Sequence, residues 1–122
     1  MPFLRKPVQL QWTLHARAKM NHYRLTPSRV RHVLHTPKRI EEGVAPKTVA
    51  MMQPVSMKLN GKKESWTQEI WVMVQDVAGA RKVISAWRYP GVTKPRDAAF
   101  LKKEYGEFLS DKAAEPAPGA AE

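Results

Sequence analysis

Cysteine is absent from the 122 residues, so neither a disulfide nor a thiolate metal site can hold this chain together, and packing must supply its stability. A reducing, cytoplasmic location is therefore expected. Acidic residues are missing from the first third of the chain, where the earliest is Glu41. No stretch approaches the roughly 20 apolar residues of a membrane span, and the opening MPFLRKPVQLQ lacks the apolar segment of a secretory signal. No membrane association is expected. Neither a glycine-rich phosphate loop nor a G-x-S-x-G nucleophile elbow occurs, which leaves P-loop and α/β-hydrolase chemistry without a signature.

What the chain has is positive charge. Lys and Arg number 21 against 11 Asp and Glu, for a net +10, and the placement says more than the total. The acid-free segment holds Arg5, Lys6, Arg17, Lys19, Arg24, Arg29, Arg31, Lys38 and Arg39, with all four histidines, His15, His22, His32 and His35. A field of one sign steers anions, so a polyanion partner is expected, RNA or the ribosome before DNA or a membrane. The competing reading is a basic surface that is merely solvated.

The length suits one domain, and 43% hydrophobic residues with four Trp supply a core. Residues 1–11, broken by Pro2 and Pro7, read as an extended arm. Thr13 is a helix cap, and Trp12, Ala16, Met20 and Tyr23 fall at helical spacing as a core stripe, with His15, Lys19 and His22 on another face. Thr26-Pro27 starts a second helix whose buried side is Val30, Val33 and Leu34, and Thr36-Pro37 stops it. From Lys38 the period becomes alternating. Short strands are predicted at 38–42 and 48–59, the latter interrupted at Pro54, then at 66–75 and 82–89.

Two-residue turns at Asn60-Gly61 and Ala78-Gly79 would place Met51 opposite Ile70, Ile70 opposite Trp87, and Glu69 opposite Arg88. Trp87 then faces the helices, and the Glu69–Arg88 pair lies on the other side. Residues 97–110 repeat apolar side chains at helical intervals and predict a third helix docked at the sheet edge, while 111–122 read as a disordered tail. The expected architecture is α+β: one domain over 12–110, with two N-terminal helices on a three- to four-stranded antiparallel sheet, plus a C-terminal helix.

The segments HARAKM (residues 15–20), VRHVLHTPKRIEEG (30–43) and ISAWRYPG (84–91) resemble a family of small domains of unknown function that begin with a histidine-alanine helix. These domains are grouped by fold similarity with RelE-type and BrnT-type toxins. The likeness spans roughly residues 12 to 91. It implies helices packed on an antiparallel sheet and a suspected ribonuclease role, with the helix histidine at His15 and the last-strand arginine at Arg88. The family's usual arginine before the helix methionine is Lys19 here, which keeps the charge but not the bidentate fork. The glutamate- and lysine-rich toxin surfaces of some relatives are not recognisable.

Metal-free RNA cleavage needs a base for the 2′-hydroxyl, an acid for the leaving oxygen and cations facing the phosphate. On that requirement His15 or Glu69 is the candidate base, with Arg88 and Lys19 on phosphate and Tyr89 or Trp71 stacking a base. Arg29, Arg31, Lys38 and Arg39 complete the expected RNA-binding set. Each has a plain structural alternative: His15 bonding a backbone group, Glu69 and Arg88 forming a cross-strand ion pair, Trp71 packing, the arginines solvated. Zinc held by His22, His32 and His35 is disfavoured, because no carboxylate accompanies them and no cysteine exists. No cofactor or metal is expected.

Two functions compete: a toxin-like endoribonuclease acting on mRNA or ribosome-associated RNA, and a non-catalytic RNA- or ribosome-binding module. Either is compatible with one half of a toxin–antitoxin pair, in which a small acidic antitoxin docks on the basic face.

Overall fold

The computed structural model describes residues 9–97 and 99–114. Most of the expected arm, residues 1–8, and of the expected tail, residues 115–122, lies outside the described residues. The chain is α+β, with the order β1 (Gln9–Trp12), α1 (Leu14–Tyr23), α2 (Pro27–His35), β2 (Arg39–Glu42), β3 (Thr48–Pro54), β4 (Lys58–Asn60), β5 (Lys63–Ser65), β6 (Glu69–Val77), β7 (Ala80–Tyr89) and α3 (Ala99–Ala114). Five strands form a sheet ordered β1-β7-β6-β3-β2, and β4 pairs β5 in a separate ribbon.

Both predicted caps form. The Thr13 hydroxyl accepts from the Ala16 amide at 3.0 Å, and the Thr26 hydroxyl accepts from the Arg29 amide at 3.1 Å, with Pro27 in the first turn where its missing donor costs nothing. Between the helices Arg24 adopts a left-handed conformation (φ 57°), and the Leu25 amide returns to the Met20 carbonyl at 2.8 Å.

The sheet departs from expectation in three ways. It is mixed, not wholly antiparallel: residues 9–11 belong to β1, which pairs parallel with Ala80–Val83. The alternation Gln9-Leu10-Gln11-Trp12 turns its apolar members inward, and a short edge strand of this kind resembles an arm in sequence.

The second departure is a shift of two residues in β3–β6, which puts Met51 opposite Val72 and Val49 opposite Val74. The cause is the turn. Asn60 pairs with Lys63, so the loop is Gly61-Lys62, with Gly61 at φ 66° supplying the positive angle that its first position demands. An even shift leaves the side chains of β3 and β6 on their expected faces, although Trp66, expected toward the helices, packs in the opposite core.

The third is a β-bulge in β7. From Val77↔Ala80 to Val74↔Val83 the predicted register holds, but Met73 pairs with Ser85, leaving Ile84 as an extra residue. Beyond it each β7 side chain exchanges faces. Trp87 joins Trp71 on the far side of the sheet, and Arg88 turns toward α1.

Two cores result. Ala16, Met20, Leu25, Val30 and Val33 cover Met51, Ile70, Val72, Val74, Val83 and Ala86 on one face. On the other, α3 sets Leu101 and Phe108 against Met52, Trp71, Met73, Ile84 and Trp87. Trp71 and Trp87 stack at 6.2 Å between ring centroids, and Phe100 meets both edge-on. The third helix therefore covers a face instead of an edge, and it continues through Asp111 to Ala114, where a tail was expected, because Asp111 is bonded to His15 of α1.

The position of α1 follows from the shortness of β1. Pairing with β7 stops at Val83, where the Thr13 amide (3.3 Å) and hydroxyl (3.0 Å) both donate to the Val83 carbonyl. The helix then runs beside the remainder of β7, and at its far end Arg88 Nε donates to the Tyr23 carbonyl at 2.9 Å. Lying along the sheet edge, α1 reaches both layers: Ala16 and Met20 enter the first core, and His15 and Lys19 face α3.

Candidate functional site

The residues expected to cleave RNA are held apart. His15 and Tyr23 bracket α1, eight residues or about 12 Å apart along the axis, and Arg88 sits at the Tyr23 end. Its guanidinium caps the C-terminus of α1, where a cation complements the helix dipole. Glu69 is fully buried. Its carboxylate accepts from Trp66 Nε1 (2.9 Å), Trp71 Nε1 (3.0 Å), the Thr93 amide (3.2 Å) and the Thr93 hydroxyl (2.7 Å), with Arg39 Nη1 at 3.9 Å. The expected Glu69–Arg88 pair does not form, because the bulge at Ile84 sends Arg88 to the opposite face. Glu69 instead ties the loop after β7 to the sheet.

The stacking candidates are also committed to packing. Trp71 has no exposed surface, and its ring lies under the Arg39 guanidinium at 5.3 Å. Tyr89 is half-buried against Phe100. Arg39 donates to the carbonyls of Thr93 (2.8 Å) and Lys94 (3.3 Å) and to Glu41 (3.1 Å), so it belongs to the same knot and not to an open RNA surface. Lys19 is likewise engaged, with Glu104 at 3.0 Å and Glu107 at 3.5 Å. Burial lowers the Lys19 pKa, but the hydrogen bond and charge of Glu104, aided by Tyr23 and Glu107, outweigh it and hold the ammonium above the ordinary lysine range.

Arg29, Arg31 and Lys38 lie outside that knot, Lys38 in an exposed pair with Glu64. Arg31 lies over the Trp12 ring at 5.4 Å, on the side of α2 away from Arg29. Arg29 and Lys38 line a groove of about 350 Å³ with His32, Thr36, Pro37, Gln53, Pro54, Val55 and Met57. Gln53, buried on β3, shapes it. Its amide donates to the carbonyls of His32 (3.1 Å) and Thr36 (2.8 Å), satisfying the end of α2, while its oxygen meets His32 Nδ1 at 3.0 Å. At the rim Lys38 pairs with Glu64 at 2.6 Å, fixing the root of the β4–β5 ribbon, whose Lys58, Lys62 and Lys63 are exposed.

Sequence reasoning placed a hairpin turn at Asn60-Gly61 but not the separate basic ribbon it closes, and it missed the acids of α3. Lys62-Lys63 directly after a turn glycine marked a basic hairpin tip. Glu104, Glu107 and Asp111, spaced i, i+3 and i+7, marked one acidic helix face. That face opposes α1 across a cleft of about 690 Å³ lined by His15, Ala18, Lys19, Gly106, Glu107, Ser110 and Asp111. The histidines of the disfavoured zinc set form no metal-spaced group among the described residues. Nor is any helix there long and apolar enough to cross a membrane.

Compared with protein-family models, curated proteins and solved structures, the chain matches none.

Proposed function

We propose that the protein is a non-catalytic RNA-binding module, and that the groove between α2 and the β4–β5 ribbon is its RNA-binding face. The observation that carries this reading is the convergence of Arg29, His32 and Lys38 in one groove with the exposed Lys58, Lys62 and Lys63 beside it, on a side where α2 contributes no acid. Basic side chains along a groove contact phosphates and position a nucleic-acid backbone without reading its sequence. Apolar Pro54, Val55 and Met57 on the floor offer a surface for sugar or base edges.

The absence of chemistry in this reading is supported by the engagement of Glu69 and Arg88 elsewhere, and by the separation of His15 from Arg88 along α1. With Trp71 buried and Tyr89 packed on Phe100, binding rests on phosphate contacts more than on base stacking.

Fluorescence anisotropy with labelled single-stranded and hairpin RNA across a salt series tests this. About four phosphates contacted on a single strand give a slope of log K against log salt near −3. Arg29→Glu combined with Lys62→Glu should weaken binding more than tenfold and flatten that slope, while Lys102→Glu with Lys103→Glu on α3 should leave both unchanged. Equal losses in the two variants refute the groove assignment. New RNA ends from wild-type protein that disappear in His15→Ala would instead establish the endoribonuclease.

A further inference from the structure

We propose that the cleft between α1 and α3 is a divalent-cation site, with His15, Glu104 and Glu107 as ligands and Lys19 as the resident cation that the ion replaces. The site lies on the α3 side of the sheet edge and is independent of the RNA-binding groove. One ring nitrogen of His15 and one carboxylate oxygen each of Glu104 and Glu107 lie within 4.8 Å of one another. Ligands about 2.0–2.1 Å from a tetrahedral zinc stand about 3.4 Å apart, so small rotations of two flexible glutamates bring the set to bonding geometry.

The histidine separates this cluster from an ordinary ion-pair network. The His15 side chain is only 6% exposed, and its Nε2 is buried without a hydrogen-bond partner. A buried ring nitrogen in that state is rare, since native interiors pair nearly all such atoms. Its other nitrogen, Nδ1, is bonded to Asp111. A carboxylate on one imidazole nitrogen fixes the ring's orientation and tautomer, as it does for metal-bound histidines. Asp111 is therefore a positioning residue, and Nε2 is the nitrogen left for an ion.

Charge points the same way. Glu104, Glu107 and Asp111 carry three negative charges, and among the described residues Lys19 is the one Lys or Arg in ion-pair contact with them. With Lys19 displaced all three face the cleft, in a chain whose net charge is +10. A divalent cation offsets two of the three charges where one ammonium offsets one, and the flexible Lys19 stem lets its ammonium swing out of the cleft when the ion enters. Gly106 and Ala18, small residues on the facing helices, keep the cleft open on the solvent side and leave room for water as a fourth ligand. One imidazole with two carboxylates favours zinc over magnesium, which prefers oxygen ligands and its own water shell.

Isothermal titration of the full chain with zinc chloride tests the site, with magnesium chloride as the hard-cation control and circular dichroism verifying the fold of each variant. The expected result is one zinc bound per chain, weak or absent magnesium binding, and a thermal midpoint raised by zinc. Glu104→Gln with Glu107→Gln should reduce zinc affinity at least tenfold, whereas His22→Gln with His35→Gln should leave it unchanged. Lys19→Met removes the competitor and should tighten binding. If the double glutamine variant does not fold, the Lys19→Met result decides. No zinc heat, affinity indifferent to Glu104 and Glu107, or Lys19→Met binding no more tightly than wild type each overturn the proposal and leave a plain ion-pair network.

Discussion

Replacing Glu69 by Gln removes one negative charge and almost no volume, and the structure dictates why that should be costly. All four polar contacts to this carboxylate run inward from donors: two indoles, one backbone amide and one hydroxyl. A glutamine offers one acceptor oxygen and an NH2 group. With the NH2 at Oε1, the Thr93 hydroxyl can rotate to accept, but the Trp71 indole faces a donor. With the NH2 at Oε2, Trp66 and the Thr93 amide both do.

One stranded buried donor costs about 1–3 kcal/mol, so Glu69→Gln should destabilise by about 2 kcal/mol. Glu69→Ala strands all four donors at once, while Arg39 keeps the nearer carboxylate of Glu41 at 3.1 Å, so the alanine variant should lose more than the glutamine variant through the hydrogen bonds and not through an unpaired guanidinium. Because 1 kcal/mol corresponds to about 4–8 °C in a domain near 100 residues, the glutamine variant should melt about 10 °C early. Urea unfolding followed by tryptophan fluorescence measures the change directly, since Trp66 and Trp71 report on the same knot. Thr93→Val should be less destabilising, and the double variant with Glu69→Gln should fall short of the sum because both act on one oxygen. A glutamine variant within about 0.5 kcal/mol of wild type would refute the reasoning, since that is the scale of a surface substitution.

The hydrogen bond from Arg81, reinforced by its charge, holds the Asp76 carboxyl below the ordinary aspartate range. A depressed folded-state pKa stabilises above the unfolded value, about 3.9, and is lost as pH falls through the folded one. The gap between wild type and Asp76→Asn in thermal midpoint should therefore be constant at neutral pH and close below about pH 3.9; because the carboxylate is half-exposed, the gap should be small, and a gap that widens in acid contradicts the assignment. Gly61→Ala meets no neighbour, so its cost is conformational, about 1 kcal/mol in urea unfolding, and a larger loss would mean that the ribbon tip packs against something.

Local signals were legible in the sequence, and long-range ones were not. Thr13, Thr26 and the Ala78-Gly79 turn were readable because capping and positive φ act within four residues. The faces of β3 survived a wrong turn position because an error of two residues preserves alternation. The Ile84 bulge had no such protection. A single unpaired residue in a strand of continuous β-formers leaves no compositional trace, and it reversed Trp87 and Arg88 and with them the proposed Glu69–Arg88 pair.

His15 shows a different limit. Helical periodicity set it apart from the Ala16 and Met20 stripe, which is true, but it said nothing of what covers that other face. The face is covered because α1 lies at the sheet edge, where two of its faces are buried by two layers. Only the topology of a helix ninety residues further along the chain reveals that.

The same placement of α1 governs how this sheet meets others of its kind. Unpaired strand flanks recruit foreign strands, and proteins blunt them with charge, bulges or a covering element. Past Val83 the outer flank of β7 is occupied by a helix whose backbone bonds are internally consumed, so a peptide arriving there finds side chains in place of free amides and carbonyls. Across the sheet, the β2 flank is guarded at Arg39 and Glu41 by contacts from the 93–97 loop. Recruitment of strands from neighbouring molecules is thus obstructed along β7 past Val83 and at Arg39 and Glu41 of β2, two stretches where a chain rich in buried β-formers would otherwise present open backbone.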